Sequence, residues 1–379
     1  MMEVSLRSLL QALVLCCLPP LGGCYWMIWD PEDDLSDTAL DALSCGPDEI
    51  RSLTTGRSFD SVAEALEEAN AQDEICIGEG EFEVGVVRWA VDSSSGAPSL
   101  ALRGAGSGLT VLRGSSGWAD VGTSLVDLHS TESSAALELE GLSFDGLVVD
   151  LQAATVNVSD LDFTLEGGSS YVVSLDAGLL DASGLSMVGA DGPLGVPWVL
   201  RATQGTVRDL TLTDNVVVPG YLLEIYGNIS LVDPVISRNL AMSDEIGLPA
   251  IMAYGNLHVV GGELSANSFN GPAIWAWQLL DLQGLMLERN DGPWMGTVVL
   301  EQDALVASGR VDGNVSASGA FLLNEGASLQ LDSASFGIGE DRNLPCDVAM
   351  LYSGDLVSQC IALELGEDSS VYCDALGCR

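Results

Sequence analysis

Arg208-Asp-Leu-Thr-Leu-Thr-Asp-Asn215 returns downstream as Asp233-Pro-Val-Ile-Ser-Arg-Asn239, Gly262-Glu-Leu-Ser-Ala-Asn267, Gly284-Leu-Met-Leu-Glu-Arg-Asn290 and Gly309-Arg-Val-Asp-Gly-Asn314. Each copy alternates apolar and polar residues, is fenced by Gly, Asp or Pro and ends on asparagine, which is how half-buried strands joined by turns are written. On either side the pattern continues, with anchors at Leu142, Leu161, Leu185, Leu210, Val235, Glu263, Leu285, Arg310 and Ala334. These are separated by 19, 24, 25, 25, 28, 22, 25 and 24 residues. No repeat has room for a long amphipathic helix. A leucine-rich repeat needs several fixed leucines per unit, and a propeller blade needs about 40 residues or more. The spacing therefore predicts an all-β chain forming a single right-handed parallel β-helix, a solenoid in which each coil packs only on its neighbours.

Asn215, Asn239, Asn267, Asn290 and Asn314 follow their anchors by four or five residues. Asparagine tolerates the left-handed backbone conformation, and its amide can bond its counterpart one coil on, so the column predicts a stacked turn. A second apolar run follows each turn: Leu-Leu-Glu-Ile-Tyr226, Ala-Ile-Met-Ala-Tyr254, Ala-Ile-Trp-Ala-Trp277, Thr-Val-Val-Leu-Glu301 and Ala-Phe-Leu-Leu-Asn324. Alternation places Leu223, Ile225, Ile251, Ala253, Ile274, Ala276, Val298 and Leu300 inside. Glu224, Met252, Trp275, Val299 and Leu322 then form one outward column, with Tyr226, Tyr254, Trp277, Glu301 and Asn324 beside it. Coils stack about 4.8 Å apart, so Tyr226, Tyr254 and Trp277 are expected to form an aromatic ladder, extended by Arg201 at one end and closed by Glu301 at the other. The candidate ligand-binding residues are thus Arg201, Glu224, Tyr226, Tyr254, Trp275, Trp277 and Glu301. Exposed patches of this kind mark interaction surfaces, for a glycan or a protein; the alternative is that the loop holding Trp294, or a second subunit, covers them.

Upstream, Ser58-Phe-Asp-Ser-Val-Ala-Glu-Ala-Leu66 through Asp73-Glu-Ile-Cys-Ile-Gly-Glu-Gly-Glu-Phe82 resembles the opening of pectin-lyase-like right-handed β-helix proteins. Leu100-Ala-Leu-Arg-Gly-Ala-Gly-Ser-Gly-Leu-Thr-Val-Leu112 resembles their next coil. The resemblance implies a short N-terminal capping helix followed by the first strand of the solenoid. It covers about 55 residues in detail and the remainder by period alone. It speaks for fold and hardly for activity.

The chain has 379 residues, 13 basic residues, none of them lysine, and 55 acidic ones, for a formal charge of −42. Nucleic acid and anionic lipid are excluded as partners, because nothing offsets repulsion from phosphate. No cofactor or metal site is expected; calcium is the one ion that the acidic surface suits, and the plainer reading is that the charge solvates a long rod. Residues 1–23 read as a secretory signal, with Arg7, an apolar run from Leu9 to Leu18, and Leu21-Gly-Gly-Cys24. That tetrapeptide resembles the lipobox of bacterial lipoproteins, which implies a lipid-modified Cys24, anchorage at the outer membrane or cell surface, and Tyr25, Trp26 and Trp29 at the lipid interface. An ordinary cleaved signal is the alternative. Residues 24–45 are an acidic tether and residues 46–379 the solenoid.

Export permits disulfides, and six cysteines remain for them: Cys45, Cys76, Cys346, Cys360, Cys373 and Cys378. Cys45 and Cys76 flank the expected helix and would staple the N-terminal end. The last four crowd the final coil, where three pairings stand open. Zinc is a poor competitor, given the long gaps and the absence of nearby histidine.

The resemblance also raises polysaccharide hydrolases and lyases. The Gly-His-Gly and Arg-Ile-Lys segments of the hydrolases are missing. His129 and His258 read as structural or surface residues. Asp209, Asp214, Asp233 and Asp244 with Arg208 and Arg238 suit a calcium-assisted lyase but equally suit turns. No nucleophile elbow or phosphate loop is present. The leading expectation is a non-catalytic surface lipoprotein that binds a glycan or protein through the aromatic strip. A polysaccharide lyase or hydrolase, and a structural rod or adhesin, are the alternatives.

Overall fold

The computed structural model describes residues 45–90, 98–114, 125–164, 171–194, 196–217, 220–241, 247–292, 295–337, 341–352, 355–363, 370–374 and 377–379. The signal, lipobox cysteine and tether, as well as Asp244 and Trp294, lie outside the described residues.

Successive coils pair in parallel along three sheets. The first stacks Val87–Ala90, Leu125–His129, the starts of Val148–Thr164, Tyr171–Val188, Val196–Arg208 and Leu223–Val232, then Ile251–Ala253, Ile274–Ala276, Val298–Leu300, Phe321–Leu323 and Val348–Tyr352. The second runs from Asp73–Ile77 to Leu329–Asp332, and the third from Gly80–Val84 to Ser335–Phe336. Short bridges such as Val216–Val217 with Leu240–Ala241 form a fourth, minor column at the asparagine turn. This is the parallel β-helix the spacing predicts.

Three anchors fall one residue out of register. Thr211 pairs with Val235, Val235 with Glu263, Glu263 with Met286 and Met286 with Arg310. The partners of Leu210 and Leu285 are therefore Pro234, Gly262 and Gly309, corner residues whose shapes hide the repeat. In the corrected register every asparagine from 215 to 314 follows its corner by the same interval.

A single apolar core fills the solenoid, and the eight inward residues predicted for the first sheet, from Leu223 to Leu300, are all buried. Like residues stack on like: Phe144 lies 5.2 Å from Phe163, whose ring meets Trp198 edge-on at 5.1 Å. A six-residue helix, Val62–Glu67, buries Val62, Ala65 and Leu66; Ser61 starts it by accepting the Glu64 N–H at 3.1 Å.

Open sheet edges invite pairing with other chains. Here Ile50–Ser52 lies antiparallel on Asp73–Ile77 at one end, while Asp355–Ile361 and Ser370–Asp374 cover Val348–Tyr352 and Leu329–Asp332 at the other. Disulfides tie these covers down. Cys45 is bonded to Cys76, Cys373 to Cys378, and Cys346 is also in a disulfide. The side chain of Cys360 is outside the described residues.

Candidate binding face

The asparagines form a buried ladder. Asn239 donates its Nδ2 to Asn267 Oδ1 at 2.9 Å and to the Leu212 carbonyl at 2.8 Å, and its backbone N–H reaches the same Asn267 oxygen at 3.0 Å. The pattern repeats from Asn215 through Asn314. The structure adds a sixth rung, Asn343, which accepts from Asn314 at 2.9 Å and donates to Asp347 at 2.8 Å. Asn343 escapes a sequence reading because extra residues lengthen its coil. The left-handed residues at these turns are not the asparagines but their predecessors: Asp214, Arg238, Ala266 and Arg289 have φ of 58°, 55°, 52° and 53°. The asparagines are conserved in position for their amides.

This turn delivers the chain to the first sheet, whose outward side carries the candidate residues. Arg201 is paired with Tyr226, and its guanidinium sits 4.8 Å over the Tyr226 ring. Tyr226 stacks on Tyr254 with centroids 4.9 Å apart, and Tyr254 on Trp277 at 6.3 Å. Trp275 lies 6.0 Å from Trp277 and donates its indole N–H to Glu301 at 2.9 Å, while Asn324 holds the same oxygen at 2.6 Å. The sequence-predicted residues are thus contiguous. The Tyr226 hydroxyl donates to Glu224, Tyr254 shares a hydrogen bond with Tyr221, and both rings are half-buried in the stack. Trp277, 44% exposed, is the open aromatic surface.

The neighbouring outward column is covered over part of its length. Val299, Leu322 and Ala349 are buried in a small cluster with Cys346, against which Trp275 and Met295 pack. Met252 is buried too. Cys346 and Met295 therefore pack against part of this column, while Trp277 in the next column stays exposed.

In the other direction the face changes character. Asp127, Asp150, Ser174, Val199 and Glu224 align in one row, and His129, Gln152, Asp176, Arg201 and Tyr226 in the next. Asp127, His129, Asp150 and Asp176 went unnoticed as a group in the sequence because no asparagine marks the turns of these coils and each row mixes acidic, polar and apolar residues. A cleft of about 310 Å³ opens here, lined by Val148, Asp150, Ser174, Val199, Arg201, Glu224 and Tyr226. Arg201 donates to Asp176 at 3.0 Å, Tyr226 to Glu224 at 2.9 Å, and the His129 ring meets Asp127 at 3.2 Å.

Electrostatics follow from this crowding. Although solvent reaches Asp150, the surrounding protein strips part of its hydration; with the Asp127 and Asp176 charges this raises its pKa against the opposing Ser174 hydrogen bond. Loss of hydration, then the Glu224 hydrogen bond and charge, pushes Tyr226 up to about 12, while Arg201 opposes. Tyr254 is raised by the same loss of hydration and by its contact with Tyr221. Both phenols are consequently protonated hydrogen-bond donors at neutral pH rather than bases.

Of the aspartates that suited a lyase, the three among the described residues do not converge. Asp209 and Asp233 occupy left-handed turn positions between the second and third sheets, whereas Asp214 sits at the asparagine turn, paired with Arg238 at 2.7 Å. Arg208 is held by Asp181. Among the described residues no group of three or more His, Cys, Asp or Glu is arranged to hold a metal ion, and no helix is long and apolar enough to cross a membrane. A second cleft, of about 510 Å³ beside the Cys45–Cys76 bond, is lined mainly by Gly78, Gly104, Gly106 and Gly141. Its one guanidinium, Arg103, is engaged by Glu74, Glu138 and Glu140.

No protein-family model matches the chain, and no curated protein matches it in sequence. Among solved structures, the A-module of the mannuronan C-5 epimerase AlgE6 from Azotobacter vinelandii aligns over 76% of this chain and 92% of its own. Its identity to this chain is 12% and the TM-score 0.32. The Agl-KA catalytic domain aligns over 70% of this chain and 54% of its own, at 13% identity and a TM-score of 0.25. Both likenesses are too distant to bear on what this chain does.

Proposed function

We propose that the protein is an exported, lipid-anchored β-helix that binds an extracellular glycan along the outward side of its first sheet. The observation that carries this reading is the continuity of the face. An open indole at Trp277, two stacked phenols and a carboxylate-lined cleft lie in line on successive coils. Sugars present apolar C–H faces and hydroxyls together, which suits rings alternating with hydrogen-bonding groups. Coils repeat about every 4.8 Å, close to the length of one sugar unit, so an extended oligosaccharide would meet one coil per unit.

A glycan-microarray screen of the full-length protein tests the reading. Retention on at least one glycan, lost in Tyr254→Ala/Trp277→Ala while circular dichroism is unchanged, is the expected result. Retention on none, or retention untouched by the double substitution, would leave the structural rod or adhesin in its place.

The proposed address rests on the sequence of residues 1–24: a short apolar segment, small residues, and Cys24 as the acylated residue. Labelled palmitate should enter the wild-type chain in a bacterial host and not a Cys24→Ala variant; entry into both, or neither, rejects the lipid anchor. Membership of the pectin-lyase-like family, as a distant branch, is part of the same proposal. It is supported by the Ser58–Phe82 resemblance and by the helix and strand found there.

An acid–base enzyme is the second reading, favoured by the raised pKa of Asp150 inside a cleft that also holds Glu224. Release of reducing or unsaturated ends from the retained glycan, abolished by Asp150→Asn, would replace the binding protein with an enzyme.

A further inference from the structure

We infer that the glycan this face accepts is a cationic one, a polymer carrying free amino sugars, and not a polyuronate. The inference rests on the glycan-binding reading above and assigns its chemical class. It is carried by the charge of the strip itself rather than by that of the whole molecule.

Along the two outward rows stand five carboxylates, Asp127, Asp150, Asp176, Glu224 and Glu301, against two guanidiniums, Arg88 and Arg201. Both guanidiniums are already paired with carboxylates of the strip, so the row charge stays negative. Arg201 is engaged by Asp176 at 3.0 Å and lies over the Tyr226 ring, and Arg88 pairs with Asp127 at 3.5 Å. A uronate carboxylate placed in the cleft would meet Asp150 at one end or Glu224 at the other, and the one cation lining the cleft, Arg201, is already shared with Asp176. Like charges brought together at a binding surface select against that partner.

Two ammonium groups on one oligomer can instead take one carboxylate each, since Asp150 and Glu224 stand three coils, about 14 Å, apart. The Tyr226 hydrogen bond fixes one oxygen of Glu224 at 2.9 Å, so its second oxygen is oriented for a ligand donor. Glu301, at the far end, is already occupied by Trp275 and Asn324 and serves to hold the indoles in place. The strip therefore has an apolar end, at Trp277, and an anionic end, at the cleft. A polymer alternating a sugar face with a protonated amine matches both.

The test compares two oligosaccharides of the same length and linkage, one of glucosamine and one of N-acetylglucosamine, with an oligogalacturonate as the anion. Titration calorimetry uses the full-length protein at a pH below that of amine deprotonation. The glucosamine oligomer should bind roughly 10-fold or more tightly than its acetylated counterpart, the equivalent of about 1.4 kcal/mol, and oligogalacturonate should bind worst. Asp150→Asn/Glu224→Gln should erase the preference, while Glu83→Gln/Asp291→Asn, which removes two exposed carboxylates from other sheets, should preserve it. Tyr254→Ala/Trp277→Ala should weaken both amino-sugar oligomers.

Equal binding of the two oligomers, or stronger binding of oligogalacturonate, overturns the cationic class while the glycan reading stands. A preference that survives Asp150→Asn/Glu224→Gln, or falls equally in the remote variant, reports only the diffuse charge of the molecule and also overturns it. Failure of all three oligosaccharides to bind overturns the cationic class, whereas the glycan reading falls only if the microarray retains the protein on no glycan. Circular dichroism on each variant separates loss of the face from loss of the fold.

Discussion

At the scale of single residues, the asparagine ladder shows how a polar side chain can be a core residue. Each rung is buried, and each amide uses both its donor and acceptor capacity within the ladder, so removing one strands its neighbours. An unsatisfied buried polar group costs about 1–3 kcal/mol. Asn267→Ala should therefore destabilise the chain by roughly 2–5 kcal/mol, whereas Asn228→Ala, in the exposed Asn228–Asn256 pair, should cost less than about 0.5 kcal/mol. Urea titrations of the two variants check the contrast, and equal costs would contradict it. The ladder ends on Asp347, whose carboxylate takes the Asn343 amide at 2.8 Å and the Leu363 N–H at 2.7 Å. Burial raises the Asp347 pKa in spite of those bonds. A raised folded-state pKa stabilises fully below the unfolded value, and that contribution is lost as pH rises through the folded one. Wild type should lose stability relative to Asp347→Asn over that rise; a gap between them independent of pH would remove Asp347 as the cause.

At the scale of elements, the coil is the unit of folding and the corner sets its register. Asn239 and Asn267 are 28 positions apart and occupy equivalent places. Excising residues 240–267 should join Asn239 to Ser268 without a change of register, leave the β signature in circular dichroism intact and bring Tyr226 next to Trp277. Excising residues 240–253 leaves half a coil between two full ones, breaks the parallel stack at that point, and should abolish cooperative unfolding. If both deletions fold alike, the coil is not the unit. The parallel β-helix and the Arg201-to-Glu301 strip were legible in the sequence because between Leu210 and Ala334 the period is nearly constant and alternation is clean. Pro234, Gly262 and Gly309 blurred the corners by one position, since a corner selects backbone shape and not side-chain type. Asp127, His129, Asp150 and Asp176 were not legible as one group. Their coils repeat at 23 to 25 residues but carry no asparagine at the turn and no recurring residue type along the row, so their order on the face follows from strand register alone. Asn343 was lost because extra residues lengthen its coil.

At the scale of the whole molecule, two features combine: covered ends and a large negative charge. Antiparallel strands and disulfides close both ends of the solenoid, so the parallel stack stops instead of adding further chains. A formal charge of −42 spread over that stack repels itself. Screening lengths fall from about 30 Å at 0.01 M salt to about 10 Å at 0.1 M. The midpoint of thermal unfolding should accordingly rise across that range of sodium chloride, and a fall would mean that the ion pairs outweigh the repulsion. On the first sheet stacked rings adjoin a cleft, and binding along that face is the central claim. Hydroxyl-radical footprinting with saturating amounts of the best-retained glycan tests that claim most directly. Trp277 and Tyr254 should be protected while Tyr372, on the C-terminal covering strand, keeps its reactivity. Unchanged reactivity of Trp277 in the saturated complex would place the ligand elsewhere.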